Sequence, residues 1–276
     1  MKTFDAQGAR IPVLGMGTWT LNGPEAVDLI THGLKLGYRH IDTAAKYGNE
    51  AEVGAAIARS GVPRGDVFLT TKVWPTDLAP ADFARSVASS LETLGTDYVD
   101  LLLIHWPNPA VPLEASIEAL NLAHKRGQAR HIGVSNFTLQ MFAEARRLSP
   151  VALAAHEVER HPFLDQSKMA KACAEAGAAL IAYTPLARAQ DLDTDPVLGE
   201  IARAHGVSAV QVVLAWHFGL KGNIPVPRTS NPQRLTDNLK ALDLVLTSEE
   251  RAAIDALRSA NRRVVNTVFS PDWDQP

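Results

Sequence analysis

Asp42, Tyr47, Lys72 and His105 are the residues of this sequence whose types could move a proton together. A tyrosine in water keeps its proton up to a pH of about 10. It becomes a proton donor near neutrality only where its surroundings favour the phenolate. A neighbouring ammonium does so, and a carboxylate keeps that ammonium in place. A histidine on the same rim can orient a carbonyl group by a hydrogen bond, for which its neutral tautomer suffices. The chemistry open to the set is proton donation to a carbonyl oxygen. Each residue alone has a plainer reading: Asp42 as a helix cap, Tyr47 as a loop aromatic, Lys72 as a solvated strand end, His105 as a satisfied core histidine. The combination differs, because a lysine at the mouth of an apolar core needs a charge partner, and Asp42 is a candidate for it.

The residues need elements that bring them to one place. Eight short apolar runs read as strands: 13–19, 38–42, 67–73, 99–105, 129–135, 152–159, 178–184 and 223–227. Between them lie amphipathic segments, such as Phe83, Val87, Leu91 and Leu94 at helical spacing, or Leu139, Phe142, Ala145 and Leu148. Gly95, Gly127, Gly177 and Gly206 fall where a left-handed residue closes a helix. Asn231 before Pro232 reads as an N-cap with proline at the first helical position, and Thr247 with Glu250 as a capping box. Nearly unbroken apolar strands alternating with helices imply a parallel sheet covered on both faces. The fold class expected is α/β, a closed (β/α)8 TIM barrel, in a single domain over residues 1–276. In such a barrel the reactive residues sit at the C-terminal ends of strands and in the loops after them. Asp42, Lys72 and His105 each end an expected strand, and Tyr47 lies in the loop after Asp42.

Composition excludes several partner classes. The chain has 276 residues, 46% of them hydrophobic, and a formal charge of −3 from 27 basic and 30 acidic side chains spread along its length. There is no basic footprint for nucleic acid. No apolar run approaches the ~20 residues of a membrane span, and the N-terminus lacks the apolar stretch of a secretory signal. The expectation is a soluble, cytoplasmic, monomeric protein acting on a small molecule, with no nucleic-acid or membrane partner. The one cysteine, Cys173, lies four positions after Met169 on one face of an apolar helical run and reads as a buried thiol. With no nucleophilic serine or cysteine motif and neither GxxxxGK[ST] nor GxSxG present, electrons for carbonyl chemistry must come from a cofactor. Residues 15–20 read GMGTWT rather than GxGxxG, so a dinucleotide would not lie in a Rossmann crevice.

Seven stretches in order, LGMGTW (14–19), GYRHIDTAAKYGNEAEVG (37–54), TTKVWP (70–75), DLLLIHWP (100–107), IGVSNF (132–137), AYTPL (182–186) and VPRTSNPQRLTDN (226–238), make the chain resemble the aldo-keto reductase family. These are NADPH-dependent (β/α)8 barrels that reduce aldehydes and ketones, and the resemblance covers roughly residues 10–260. It implies a catalytic tetrad of Asp42, Tyr47, Lys72 and His105 with Tyr47 as general acid. It implies that Ser135 and Asn136 hold the nicotinamide carboxamide, that Tyr183 stacks on the nicotinamide ring, and that Thr184 and Leu186 join the cofactor contacts. Arg228 stands where the family has lysine and Thr229 where serine is usual, while Arg234 and Asn238 match the family. Guanidinium groups suit a 2′-phosphate, as does a helix N-terminus opening at Asn231, so NADPH is expected over NADH. Trp19, Trp74, Trp106 and His105 are expected around a substrate pocket, Trp273 is a candidate to fold back over its mouth, and the short turn at 108–112 leaves little material for a large lid. The substrates expected are small or aromatic aldehydes and keto compounds such as sugar derivatives. The alternative is a nucleotide-binding sensor or partner-binding barrel without turnover; an intact proton donor argues against it.

The sequence HEVERHP (156–162) departs from the family, which commonly has asparagine and glutamine where His156 and Glu157 stand. An ionised glutamate only accepts hydrogen bonds. Glu157 is expected to keep a contact to the carboxamide NH2 and, by its charge, to favour NADP+ mildly over NADPH. The same stretch approaches the zinc motif HExxH, but His156 and His161 are five apart, Pro162 follows, and on a strand the odd spacing sends them to opposite faces. No metal is expected.

Overall fold

A computed structural model describes residues 1–189 and 191–274. The chain opens with a hairpin, β1 (Thr3–Ala6) and β2 (Ala9–Pro12), then runs β3 (Met16–Gly17), α1 (Gly23–Leu36), β4 (His40–Asp42), α2 (Glu50–Ser60), β5 (Phe68–Val73), α3 (Pro80–Leu94), β6 (Val99–Ile104) and α4 (Leu113–Lys125). It continues through β7 (Ala129–Ser135), α5 (Leu139–Leu148), β8 (Leu153–Glu159), α6 (Ser167–Ala176), β9 (Ala179–Tyr183), α7 (Pro196–His205), α8 (Ala209–Gly219), β10 (Asn223–Pro225), α9 (Pro232–Lys240) and α10 (Ser248–Ala256). Strands β3 to β10 form one eight-stranded sheet in chain order, each paired parallel to the next.

The ends of that sheet meet. The N–H groups of Gly15 and Gly17 donate to the carbonyls of Pro225 and Pro227 at 3.0 and 3.1 Å, which closes the barrel. The sequence at this seam has a physical reason. Val226 N–H donates to Ala182 O on the β9 side, while Pro225 and Pro227 face β3 and contribute only their carbonyls to it, so the seam is bonded by the glycine N–H groups alone. A Cβ on Gly17 would lie 2.7 Å from Val226 O, so glycine is what lets the backbones approach.

The hairpin was not read from the sequence. Its two-residue turn places Gln7 at φ 54° and Gly8 at φ 83°, the left-handed pair that a tight hairpin requires. A Gln-Gly turn is a weaker signal than Asn-Gly, and only four residues flank it on each side. Ala6, Ala9 and Ile11 pack with Leu101, Leu103, Ala154, Ile181 and Ile224, plugging the N-terminal end of the barrel with side chains. The strands' other faces pack against the helices in the larger outer core, where Phe83, Val87, Leu91 and Leu94 form the buried stripe of α3 as their spacing requires.

Helix boundaries follow their punctuation. Gly95, Gly127, Gly177 and Gly206 all have positive φ. Asn231 accepts from Gln233 N–H, and Thr247 and Glu250 form the reciprocal capping box. Two helices rather than one separate β9 from β10. The second, α8, is apolar on every side because Val212, Val213, Leu214 and Trp216 are all buried. Cys173 is buried in α6, where loss of solvent pushes its thiol up to about 12. No single helix among the described residues is long and apolar enough to cross a membrane. With one end plugged, the C-terminal ends of the strands carry the opening.

Candidate active site

A cavity of about 630 Å³ opens at that end, a size suited to a small-molecule site. Asp42, Tyr47, His105, Trp19, Trp74 and Trp106 line it. Lys72 lies beneath, fully buried. Its Nζ contacts Asp42 Oδ1 at 2.6 Å, Thr43 O at 3.1 Å and the Tyr47 hydroxyl at 3.4 Å. Asp42 is therefore no helix cap.

Tyr47 is placed by a short 3-10 turn over Ala45–Tyr47, closed by Gly48 at φ 67°. Asn49, which the sequence reading did not single out, fixes this turn. Its amide donates to Thr18 O and Leu21 O at 2.7 and 2.8 Å and accepts from the Thr43 hydroxyl at 2.9 Å, tying the loop after β3 to the loop after β4. His105 follows β6, and its ring meets Trp74 and Tyr47 edge-on at 5.1 and 5.7 Å between centroids.

The electrostatics correct one expectation. Burial would drive a proton off Lys72, but the acidic groups around it, Asp42 foremost, outweigh it and hold the ammonium charged above the ordinary lysine range. For Tyr47, burial raises the phenol above the ordinary tyrosine range, and the lowering pull of Lys72 offsets this only in part. The ammonium acts in the expected direction, but the surrounding protein wins. The phenol therefore keeps its proton near neutrality, as a proton donor must. Burial first, then Lys72, hold His105 well below the ordinary histidine range, so its ring is neutral and able to hydrogen-bond a carbonyl oxygen.

The residues expected around a dinucleotide line the same cavity: Asn136, Glu157, Tyr183, Thr184, Leu186, Arg228, Thr229, Arg234 and Asn238. Ser135 is the exception. It is buried behind Asn136, whose amide donates to Ser135 Oγ at 3.0 Å and to His105 O at 2.9 Å. Tyr183 donates to Asn136 Oδ1 at 2.6 Å, so the aromatic ring and the amide form one unit beside the tetrad. Arg228 and Arg234 are exposed on the cavity wall, and among the described residues neither pairs with a carboxylate. Arg234 stands in the first turn of α9. An aromatic face and amide at one end, with two guanidiniums that pair with no carboxylate among the described residues and a helix N-terminus at the other, form a donor set that fits a nicotinamide dinucleotide bearing an extra phosphate.

Comparison with known proteins decides the family. The sequence profile of the Aldo/keto reductase family matches residues 13–259. The chain belongs to the aldo/keto reductase family. It is 39% identical over 267 residues to methylglyoxal reductase DkgB of Escherichia coli O157:H7, covering 96% of this chain and 99% of that one. It is 38% identical over 256 residues to an aldo-keto reductase of Mycolicibacterium smegmatis, covering 92% of each. Among solved structures, a protein assigned provisionally as a 2,5-diketo-D-gluconic acid reductase B superposes with a TM-score of 0.96 at 44% identity, covering 100% of this chain and 98% of that one. An aldo-keto reductase of Bombyx mori in complex with NADP superposes with a TM-score of 0.88 at 31% identity, covering 99% and 96%.

In this aldo/keto reductase the C-terminal segment crosses the barrel mouth. Val265 and Thr267 line the cavity, Phe269 meets Trp74 edge-on at 5.6 Å, and Trp273 meets Trp106 at 6.0 Å. The segment has no periodicity, so sequence reasoning had only its aromatics to go on. Its anchor is Glu159, also missed. This fully buried carboxylate accepts from Val264 N–H at 2.6 Å and Val265 N–H at 2.9 Å, and lies 3.0 Å from His161 Nε2. His156, the other half of the apparent zinc motif, accepts from Phe137 N–H at 3.1 Å and stacks on Phe142, on the helix side of β8. Removing one acceptor oxygen by Glu159→Gln is expected to speed hydrogen exchange at the Val264 and Val265 amides by roughly ten-fold or more, from the ~1.5–3 kcal/mol of a bond to a charged group. Unchanged exchange at those amides contradicts the anchoring role.

Proposed function

We propose that this chain reduces aldehydes and ketones to alcohols with NADPH, Tyr47 acting as the general acid. The observation that carries the reading is Lys72 Nζ, held by Asp42 at 2.6 Å, standing 3.4 Å from the Tyr47 hydroxyl at the floor of the cavity. When bound, the nicotinamide supplies the hydride that reduces the carbonyl carbon. Asn136, backed by Ser135, stands at its carboxamide, Tyr183 offers the stacking face, and Thr184, Leu186, Thr229 and Asn238 line its path. Arg228 and Arg234 meet the 2′-phosphate. The neutral His105 and Tyr47 orient the carbonyl oxygen from two sides. As charge develops on that oxygen, Tyr47 O–H gives up its proton, and Lys72 stabilises the phenolate left behind. Reversal of the same steps oxidises an alcohol.

The substrate class is small carbonyl compounds. Relatives named for methylglyoxal and for 2,5-diketo-D-gluconic acid support it. So do the apolar walls that Trp74, Trp106 and Phe269 set near His105, which suit a short carbon chain.

Tyr47→Phe removes the transferable proton and keeps the ring. Its kcat for aldehyde reduction, followed as NADPH oxidation, is expected to fall by about 10²–10⁴, the usual contribution of a general acid, while NADPH binding by fluorescence persists. A near-normal kcat refutes the role. Arg234→Ala is expected to weaken NADPH by about ten-fold or more, the size of one charge-assisted hydrogen bond, and to leave NADH nearly unaffected. Equal losses for both dinucleotides contradict recognition of the phosphate.

A further inference from the structure

The ammonium of Lys72 has three protons and four acceptors around it. Besides Asp42 Oδ1, Thr43 O and the Tyr47 hydroxyl, Glu157 Oε1 lies 3.3 Å away. The second oxygens of the two acids, Asp42 Oδ2 and Glu157 Oε2, are both buried, and neither finds a donor. Were both groups ionised, two carboxylates would share one ammonium in a water-poor site, with a surplus negative charge beside the phenol and two orphaned acceptors. Like charges so placed do not both ionise cheaply, and an unpaired buried acceptor costs about 1–3 kcal/mol. A single proton removes both faults, because it turns one acid into a donor toward the other.

We propose that Glu157 carries that proton and shares it with Asp42, so that Lys72 is balanced by one carboxylate and Glu157 serves as a neutral positioning residue. Asp42 keeps the charge because it holds the shorter contact to Lys72, 2.6 against 3.3 Å. Both carboxyls close on the same Lys72 Nζ, at 2.6 and 3.3 Å, which sets them side by side, and burial first, then Asp42, push Glu157 well above the ordinary carboxylate range, against the pull of Lys72. The groups facing it from neighbouring elements fit a neutral acid. Beyond Asp42 on β4 and Lys72 on β5, these are the Tyr47 phenol after β4, the Tyr183 phenol on β9 and the neutral His105 after β6, with Tyr47 and Tyr183 both raised by burial. His40, below Asp42 on β4, is pushed by burial down to about 4 and is neutral as well. On its own strand, Glu159 is occupied by the C-terminal anchor.

A protonated glutamic acid donates and accepts, as the glutamine common in the family does. The site thus keeps a neutral hydrogen-bonding group at the cofactor despite the change of residue. This replaces the expectation that a Glu157 charge favours NADP+, since at neutral pH there is no such charge. Its consequence for catalysis rests on Tyr47 as proton donor: with Glu157 neutral, Lys72 faces one carboxylate and retains its pull on the phenol.

The wild-type protein tests the proposal without turnover or cofactor. The side-chain carboxyl carbon of Glu157, assigned by NMR through its own backbone, is expected to resonate as a neutral acid at neutral pH and to shift to the carboxylate position only at higher pH. A carboxylate resonance at neutral pH overturns it. Linkage gives an independent reading. A carboxyl raised in the folded state contributes stability that is fully present below its unfolded pKa of about 4.3 and is lost as pH rises toward the folded value. Glu157→Gln does not titrate, so its urea midpoint is expected to gain steadily on the wild type from about pH 4 into the neutral range. A gap between the two midpoints that stays constant over that range overturns the proposal. Because neither measurement involves reduction of a substrate, failure here and failure of the reductase reading are separable.

Discussion

Everything at the mouth of this barrel is arranged around one buried cation. Lys72 enters the interior near the C-terminal end of β5 with no solvent to support its charge, and a bare ammonium there would shed its proton. The 2.6 Å contact to Asp42 prevents that. Breaking such a pair by removing one partner typically costs about 3–5 kcal/mol, because the other charge is left stranded. The pair is a poor way to stabilise a fold, since well-packed apolar residues would do as well or better. Its retention makes sense where a positive charge must be kept at a fixed place next to a phenol.

The barrel supplies that place. Parallel pairing sets Gly17 opposite Asp42, Asp42 opposite Thr70, and Lys72 opposite Leu103, so Lys72 and His105 each lie two residues beyond the position level with the preceding member of the set, an even step that keeps the face of the strand. The seam at Gly15 and Gly17 draws the first and last strands together, and it brings the loop carrying Trp19 beside the segment carrying Arg228 and Thr229. Arg228 donates to Trp19 O at 3.2 Å across that junction. Closure of the fold and assembly of the Arg228 and Thr229 side of the cavity are thus one event. At the other side, Glu159 ties the C-terminal segment across the opening, so part of the cavity wall comes from residues far from Asp42, Tyr47, Lys72 and His105 in sequence.

The fold was legible because its signals are local and redundant. Apolar runs long enough to be buried on both faces marked all eight barrel strands, and glycine and capping residues marked the helix ends between them. Boundaries were poorer at the seam: the run at 13–19 is a strand only over Met16–Gly17, because the backbone there is committed to closing the barrel and turning into the loop. The hairpin escaped because its turn and strands are short. That Asp42, Tyr47, Lys72 and His105 come together was legible from residue types at strand ends and from resemblance. What sequence could not give was the balance of opposing effects. That burial outweighs Lys72 at Tyr47, and that Glu157 leans on the same ammonium as Asp42, depends on distances and solvent exclusion that no spacing encodes. Asn49 and Glu159 were missed for a related reason: each works by binding backbone of a distant loop, which leaves no pattern in the chain.

The central claim is that the Lys72 charge makes the Tyr47 phenol more acidic than its buried surroundings alone would allow. The most direct measurement is the titration of Tyr47 itself, followed by the ring resonances of isotope-labelled tyrosine, with Tyr47→Phe assigning the signal, in the wild type and in Lys72→Met. The phenol is expected to lose its proton at distinctly lower pH in the wild type than in Lys72→Met. Identical titration in the two proteins, or ionisation at lower pH once the ammonium is gone, would contradict it.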